Sequence, residues 1–179
     1  MTAFDAIAAL DLATVQRCNR INRRAWGRLF AWASRLGDGV FWYALMLALL
    51  LAEGAGAVPV VLTMLACGVA GGLLYKGLKL NTRRPRPCDV ERSLTLTVAP
   101  LDRFSFPSGH TLHAVCFTVL ATAHLPMLGW IAIPFAVLVA GSRMVLGLHY
   151  PSDVAVGAVI GGLIAASGLA AAAGLGIPA

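Results

Sequence analysis

Three short segments of this chain concentrate the residue types that acid–base and anion chemistry needs. They are Lys79-Leu80-Asn81-Thr82-Arg83-Arg84-Pro85-Arg86-Pro87, Pro107-Ser108-Gly109-His110, and Ser142-Arg143-Met144-Val145-Leu146-Gly147-Leu148-His149-Tyr150-Pro151-Ser152-Asp153. Together they supply the cations Lys79, Arg86 and Arg143, two histidines, a carboxylate and a helix start. That inventory suits phosphoryl transfer without a metal ion. Ser108 stands where an N-cap belongs, so the amides of Gly109 and His110, with the helix dipole, can face an anion. Arg143 lies in an otherwise apolar run, where a guanidinium is expensive and therefore a functional candidate. Arg143 and His149 are six residues apart, which on one helix puts them within about 120° of each other. Asp153 follows His149 by four residues across Tyr150-Pro151. The proline starts the next helix, leaving the carboxylate free to fold back on the imidazole and set its tautomer.

The elements that must hold these residues are membrane elements. Of 179 residues 59% are hydrophobic and 12% charged, with mean hydropathy +0.79, against about 25% charged in a soluble domain. This excludes disorder and a disulfide-held mini-protein, and indicates an integral membrane protein. The 76 residues from Phe104 to the end contain two formal charges, Arg143 and Asp153. The balance of 14 Lys+Arg against 8 Asp+Glu, net +6, does not imply nucleic-acid binding, because no soluble domain remains to carry a basic face. The four cysteines show no metal or redox spacing. Cys67 and Cys116 lie in apolar runs, and sequence alone does not say whether Cys18 and Cys88 pair. Asp5 and Asp11 in the first apolar stretch, with no basic segment before it, argue against a cleavable signal peptide.

The expected fold is all-α, a polytopic membrane helix bundle of about five spanning helices preceded by interfacial amphipathic helices. Residues 1–36 form the interfacial part: Phe4, Ile7, Ala8, Leu12 and Val15 recur at helical spacing, as do Trp26, Leu29, Phe30 and Ala33, around a polar break over Asn19 to Arg24. Residues 37–179 form the bundle, with spans from about Gly39 into the 50s, Val58 to Leu80, Pro107 to Leu125, Trp130 to Leu148, and Pro151 to Leu175. The one sizeable loop is about 81–107. Alternation places all 14 basic residues on or near one side, together with the three segments.

In order and internal spacing, the segments resemble the signature of the type 2 phosphatidic acid phosphatase superfamily: Lys-x6-Arg-Pro, Pro-Ser-Gly-His and Ser-Arg-x5-His-x3-Asp. The resemblance covers residues 79–153 directly. It implies that His149 is a nucleophile forming a phosphohistidine, that Asp153 orients it, and that His110 protonates the leaving oxygen and then activates water. It also implies that Lys79, Arg86, Ser108, Gly109 and Arg143 hold the phosphate oxygens, with no cofactor and no metal. Larger bacterial members have an extra N-terminal span; without it, this chain is similar to small bacterial undecaprenyl-pyrophosphate phosphatases. A polyprenyl pyrophosphate is then the leading substrate, with phosphatidate or phosphatidylglycerophosphate behind it. The expected setting is the bacterial inner membrane, multi-pass, with the site facing the periplasm. The partners are the lipid phosphate and the bilayer, with no nucleic acid and no obligatory protein. The competing class, a lipid transporter, would set ionisable residues at several depths rather than at one face. Outside the motifs, His113 is expected to be structural and His124 to lie at headgroup level. Lys76, Arg83 and Arg84 are expected to be solvated or headgroup-bound. Glu53 is expected in a turn, and Trp26, Trp32, Trp42 and Trp130 are expected as interfacial anchors.

Overall fold

Glycines and prolines divide the apolar runs into helices. The computed structural model describes residues 3–176; the ends of both expected segments, 1–2 and 177–179, lie outside the described residues. The helices are α1 (Ala3–Asn19), α2 (Arg24–Arg35), α3 (Phe41–Glu53), α4 (Val58–Thr82), α5 (Pro87–Val90), α6 (Gly109–His124), α7 (Gly129–Val145) and α8 (Pro151–Gly174). No strand occurs among the described residues, so the all-α expectation holds. Three helical runs are long and apolar enough to cross a membrane: Ala25–Val90, Pro126–Val145 and Pro151–Gly174. The first contains α3 and α4. Helices stand at all five expected places, but α3 and α6, with 13 and 16 residues, are shorter than the roughly 20 of a usual crossing.

The starts and stops follow local chemistry. Ser108 caps α6, its Oγ accepting from Thr111 N, and Pro151 opens α8 at a position that needs no N–H. α7 ends earlier than the hydropathy suggested, at Val145, because Gly147 turns the chain at φ 71°. His149 therefore lies in the turn between α7 and α8 and not on α7. Its closeness to Arg143 comes from a backbone bond, His149 N to Arg143 O at 3.1 Å, rather than from helical phase.

α6 is the central helix, packed on α8 and also on α7 and α4. Small residues of α8 permit the approach. A Cβ on Gly157 would lie 2.6 Å from Ser108 O, and one on Gly161 would run into the Leu112 carbonyl. These are backbone atoms and cannot swing aside. Gly161→Val should therefore destabilise the protein by about 1–3 kcal/mol, read as a lower Tm in detergent, whereas Gly162→Ala, with open space around it, should leave Tm unchanged.

Trp42 departs from expectation. It is fully buried, edge-on to Phe41 and packed with Phe117 and Phe135, while Trp26, Trp32 and Trp130 are exposed. The N-terminal helices are also tied to the bundle. Asn19 Nδ2 donates to Val145 O and Thr95 O, Thr95 N donates to Asn19 Oδ1, and Thr97 Oγ1 donates to Asn22 Oδ1. The long connection before α6 is thereby pinned across the end of the bundle that carries the three motifs.

Candidate active site

The last turn of α4 carries Lys79, and the backbone then leaves the helix through Arg83 at φ 49°. Pro85 and Pro87 keep the next stretch extended, so that Arg86 runs inward, 1% exposed. Its guanidinium is almost fully committed. Nε donates to Asp102 O at 2.9 Å, Nη1 to Leu148 O at 2.7 Å and to His149 Nε2 at 3.2 Å, and Nη2 to Asp102 Oδ1 at 2.6 Å. Arginine only donates, so His149 Nε2 presents its lone pair and the ring proton sits on Nδ1. Nδ1 faces Asp153 Oδ2 at 3.6 Å and has no hydrogen-bond partner. Asp153 does fold back towards His149, but at a distance short of a hydrogen bond; its Oδ2 accepts instead from Tyr150 N at 2.9 Å. Burial, followed by the charges of Arg143, Arg86 and Lys79, holds His149 well below the ordinary imidazole value of 6.5. The ring is neutral at pH 7.

Ser108 lies beneath this group, with its N–H on Asp153 O at 3.1 Å and its Oγ 2.9 Å from Thr111 Oγ1. Gly109 begins α6 against the ring of Tyr75, which a Cβ would meet at 3.3 Å. His110, Gly109, Lys79, Arg86, Arg143 and His149 all line one cavity of about 320 Å³. Ser108 and Asp153 stand behind it. Arg143 is 2% exposed, and among the described residues its guanidinium has one hydrogen-bond partner, Ser34 Oγ, leaving Nε without any. A buried guanidinium so sparsely paired is costly to bury, and it lines the cavity.

His113 has Nδ1 3.0 Å from Gly109 O and Nε2 3.0 Å from Gly68 O, a neutral ring donating to one of the two, which fits a structural part in joining α6 to α4. His124 pairs with Glu53 at 2.8 Å at the opposite end of the bundle.

Four residues at the site escaped the sequence reading. Arg84 is not solvated: it donates to Asp153 Oδ1 at 2.7 Å and to Asp11 Oδ2 at 2.8 Å, and lies 4.0 Å from the Tyr150 ring centroid. Asp11, buried on α1, also takes the Ser152 N–H and hydroxyl. The Arg-Pro-Arg-Pro repeat was the available signal for Arg84, since it points two arginines to one side. Asp102 joins Lys79 and Arg86, both at 2.6 Å. Partial burial raises its carboxyl, but the Lys79 hydrogen bond and the two cations outweigh this and leave it below the ordinary carboxylate range. Asp38 faces His110 Nε2 at 3.4 Å; its only sequence mark is a carboxylate between two glycines.

Asp102 occupies donors that an incoming phosphate would need. Asp102→Asn should therefore tighten competitive inhibition by inorganic phosphate, roughly tenfold for one unit charge removed at short range. A Ki titration checks this, and an unchanged Ki would mean that the carboxylate does not compete.

A helical membrane bundle with three buried cations and two histidines around one cavity defines a class, the polytopic helical membrane proteins with a buried cationic cavity. More narrowly, the chain belongs to the PAP2 superfamily, which it matches over residues 40–173. It is 33% identical over 87 residues to undecaprenyl-diphosphatase BcrC of Bacillus subtilis, covering 49% of this chain and 45% of that one. To phosphatidylglycerophosphatase B of the same organism it is 40% identical over 106 residues, covering 51% and 48%. The chain thus spans about half the length of the curated relatives it matches. The crystal structure of a transmembrane PAP2-type phosphatidylglycerolphosphate phosphatase from Bacillus subtilis superposes with TM-score 0.74 and 29% identity, over 92% of this chain and 85% of that one. With its apolar helices, this makes the chain a multi-pass membrane protein.

Proposed function

We propose that this protein hydrolyses the phosphate or pyrophosphate ester of a membrane lipid through a phosphohistidine, with undecaprenyl (polyprenyl) pyrophosphate as leading substrate. The observation that carries the reading is the convergence of Lys79, Arg86 and Arg143 with His149 on one cavity, Arg143 being in ion-pair contact with no carboxylate among the described residues. His149 Nε2 attacks phosphorus in line. Asp153, held by Arg84 and the Tyr150 amide, faces the Nδ1 proton and steadies the positive ring that forms. Lys79, Arg86, Arg143, Ser108 and the Gly109 amide stabilise the three equatorial oxygens. His110 protonates the departing oxygen and then takes a proton from the water that cleaves the intermediate.

The cations do here what a metal ion does elsewhere, so turnover should persist in excess EDTA. The names of the relatives support polyprenyl pyrophosphate and phosphatidylglycerophosphate as substrates, with phosphatidate as a further alternative. In this reading residues 1–36 lie at the headgroup layer of the bacterial inner membrane and the site opens to the periplasm. No nucleic acid or obligatory protein partner takes part. The test is phosphate release in detergent with EDTA, across polyprenyl pyrophosphate, phosphatidylglycerophosphate and phosphatidate. Orthovanadate, a mimic of the trigonal-bipyramidal transition state, should inhibit. No release from any of these lipids would overturn the reading.

A further inference from the structure

Asp38 lies two positions before the family match begins at residue 40, yet it reaches the second histidine of the site. Between α2 and α3 the chain kinks: Asp38 (φ −79°, ψ 18°) and Gly39 (φ 129°, ψ −39°) leave helical geometry. The Gly39 conformation is one that a side chain would strain. Gly37 is buried against α7, where a Cβ would lie 2.6 Å from Val139 Cγ2. The turn is thus fixed on both sides of Asp38, and it directs the carboxylate to His110, Oδ1 to Nε2 at 3.4 Å. The His110 side chain is 11% exposed and that of Asp38 51%, so the carboxylate stands at the cavity mouth and the imidazole behind it.

The electrostatic setting gives the contact a purpose. A proton donor in this cavity must carry its charge beside Lys79, Arg86 and Arg143, all of which oppose it. Two carboxylates line the cavity among the described residues, Asp38 and Asp102. Asp102 is taken by Lys79 and Arg86. Asp38 faces His110 at 3.4 Å, and at longer range its charge also acts on Arg143 and His113.

We propose that Asp38 is a positioning residue for proton transfer, holding the charged form of His110 with its Nε2–H at the cavity mouth until the leaving oxygen takes that proton. The inference rests on His110 being the proton donor. In the first step the His149 N–P bond forms and the lipid O–P bond breaks. The electron pair leaves on oxygen, which receives the His110 proton. In the second step a water oxygen bonds to phosphorus, the N–P pair returns to His149, and the water proton goes to His110. Asp38 ends each cycle as it began. Its effect should therefore scale with the need of the leaving group for a proton.

Single-turnover phosphorylation of excess enzyme, with a lipid phosphate monoester that the release panel shows to be turned over and with 4-nitrophenyl phosphate, tests this. An alkoxide leaving group needs the proton and a nitrophenolate does not. Asp38→Asn should slow the lipid step roughly 10–100-fold and the aryl step less than about threefold. Asp38→Glu, which keeps the charge, should recover most of the lipid rate. His110→Ala is the reference and should show the same split, enlarged. An equal slowing of both substrates by Asp38→Asn, or none, while His110→Ala retains the split, overturns the role of Asp38 alone. Absence of the split in His110→Ala overturns His110 as donor, and the Asp38 proposal with it.

Discussion

Replacing His149 by Ala should abolish turnover, with kcat falling by roughly 10⁴-fold or more, the scale seen when a nucleophile is removed from a preorganised site. A buried histidine could also be structural, so the rate alone is not the measure. His149 makes one ring hydrogen bond, with Arg86, and its Nδ1 has none. Losing it therefore removes packing, the bond with Arg86 and a weaker contact with the Ser105 backbone, and Tm should fall only modestly while activity vanishes. In the wild type, brief incubation with labelled substrate and an alkaline quench should trap an acid-labile phosphoenzyme; the variant should trap none. A variant with a tenth of wild-type activity would show that another group attacks phosphorus.

The pH dependence follows from the same environment. Burial and three neighbouring cations keep His149 below 6.5, so the nucleophile stays unprotonated through neutral pH. The acid limb of kcat/KM due to this residue should lie below 6.5. Stability follows the same sign: unfolded His149 binds a proton more readily than folded His149, so its contribution is present above 6.5 and is lost as pH falls. A rate-limiting ionisation of this residue above 6.5 would contradict the burial argument.

Arg143→Met should separate function from stability. Removing one preorganised donor to a developing oxyanion costs about 3–4 kcal/mol, or 10²–10³ in kcat/KM. Stability should respond in the opposite sense. Arg143 is 2% exposed, and among the described residues its one hydrogen bond goes to Ser34 and Nε is unpartnered. A buried guanidinium so poorly compensated costs several kcal/mol in desolvation, which an apolar side chain of similar length avoids. Tm should stay level or rise, at the expense of one hydrogen bond to Ser34 of about 1 kcal/mol. Arg143→Lys should not restore activity fully, since a point charge lacks the planar fork of donors. A large fall in Tm together with activity would make Arg143 a structural residue.

Much of the fold could be read in advance because hydropathy and helix signals are local. Ser108, Pro151 and the glycines of α8 mark helix ends and contacts by their own chemistry, and α4, α6, α7 and α8 stand within a few residues of the expected places. Where the reading failed, distant partners decided. Arg84 is expected in solvent or at headgroups because nothing near it in sequence binds a guanidinium. Its carboxylates, Asp11 and Asp153, lie 73 and 69 residues away. Trp42 was given to the interface because aromatic residues gather there, yet the rings of Phe117 and Phe135 enclose it.

The sequence by itself determined that charge is scarce and where it is spent: Arg143 and Asp153 in the last 76 residues, and the motif residues Lys79, Arg86, Ser108, His110 and His149. Side-chain type and spacing are properties of the chain and need no coordinates. Only the tertiary structure decided how those groups are paired in the resting protein. It placed Asp102 on Lys79 and Arg86, left Arg143 with no carboxylate in ion-pair contact among the described residues, and brought Asp38 to His110 through a kink. The physical reason is that ion pairing at 3 or 4 Å is decided by which helices meet. A carboxylate from an unrelated turn reaches a site as readily as one four residues away.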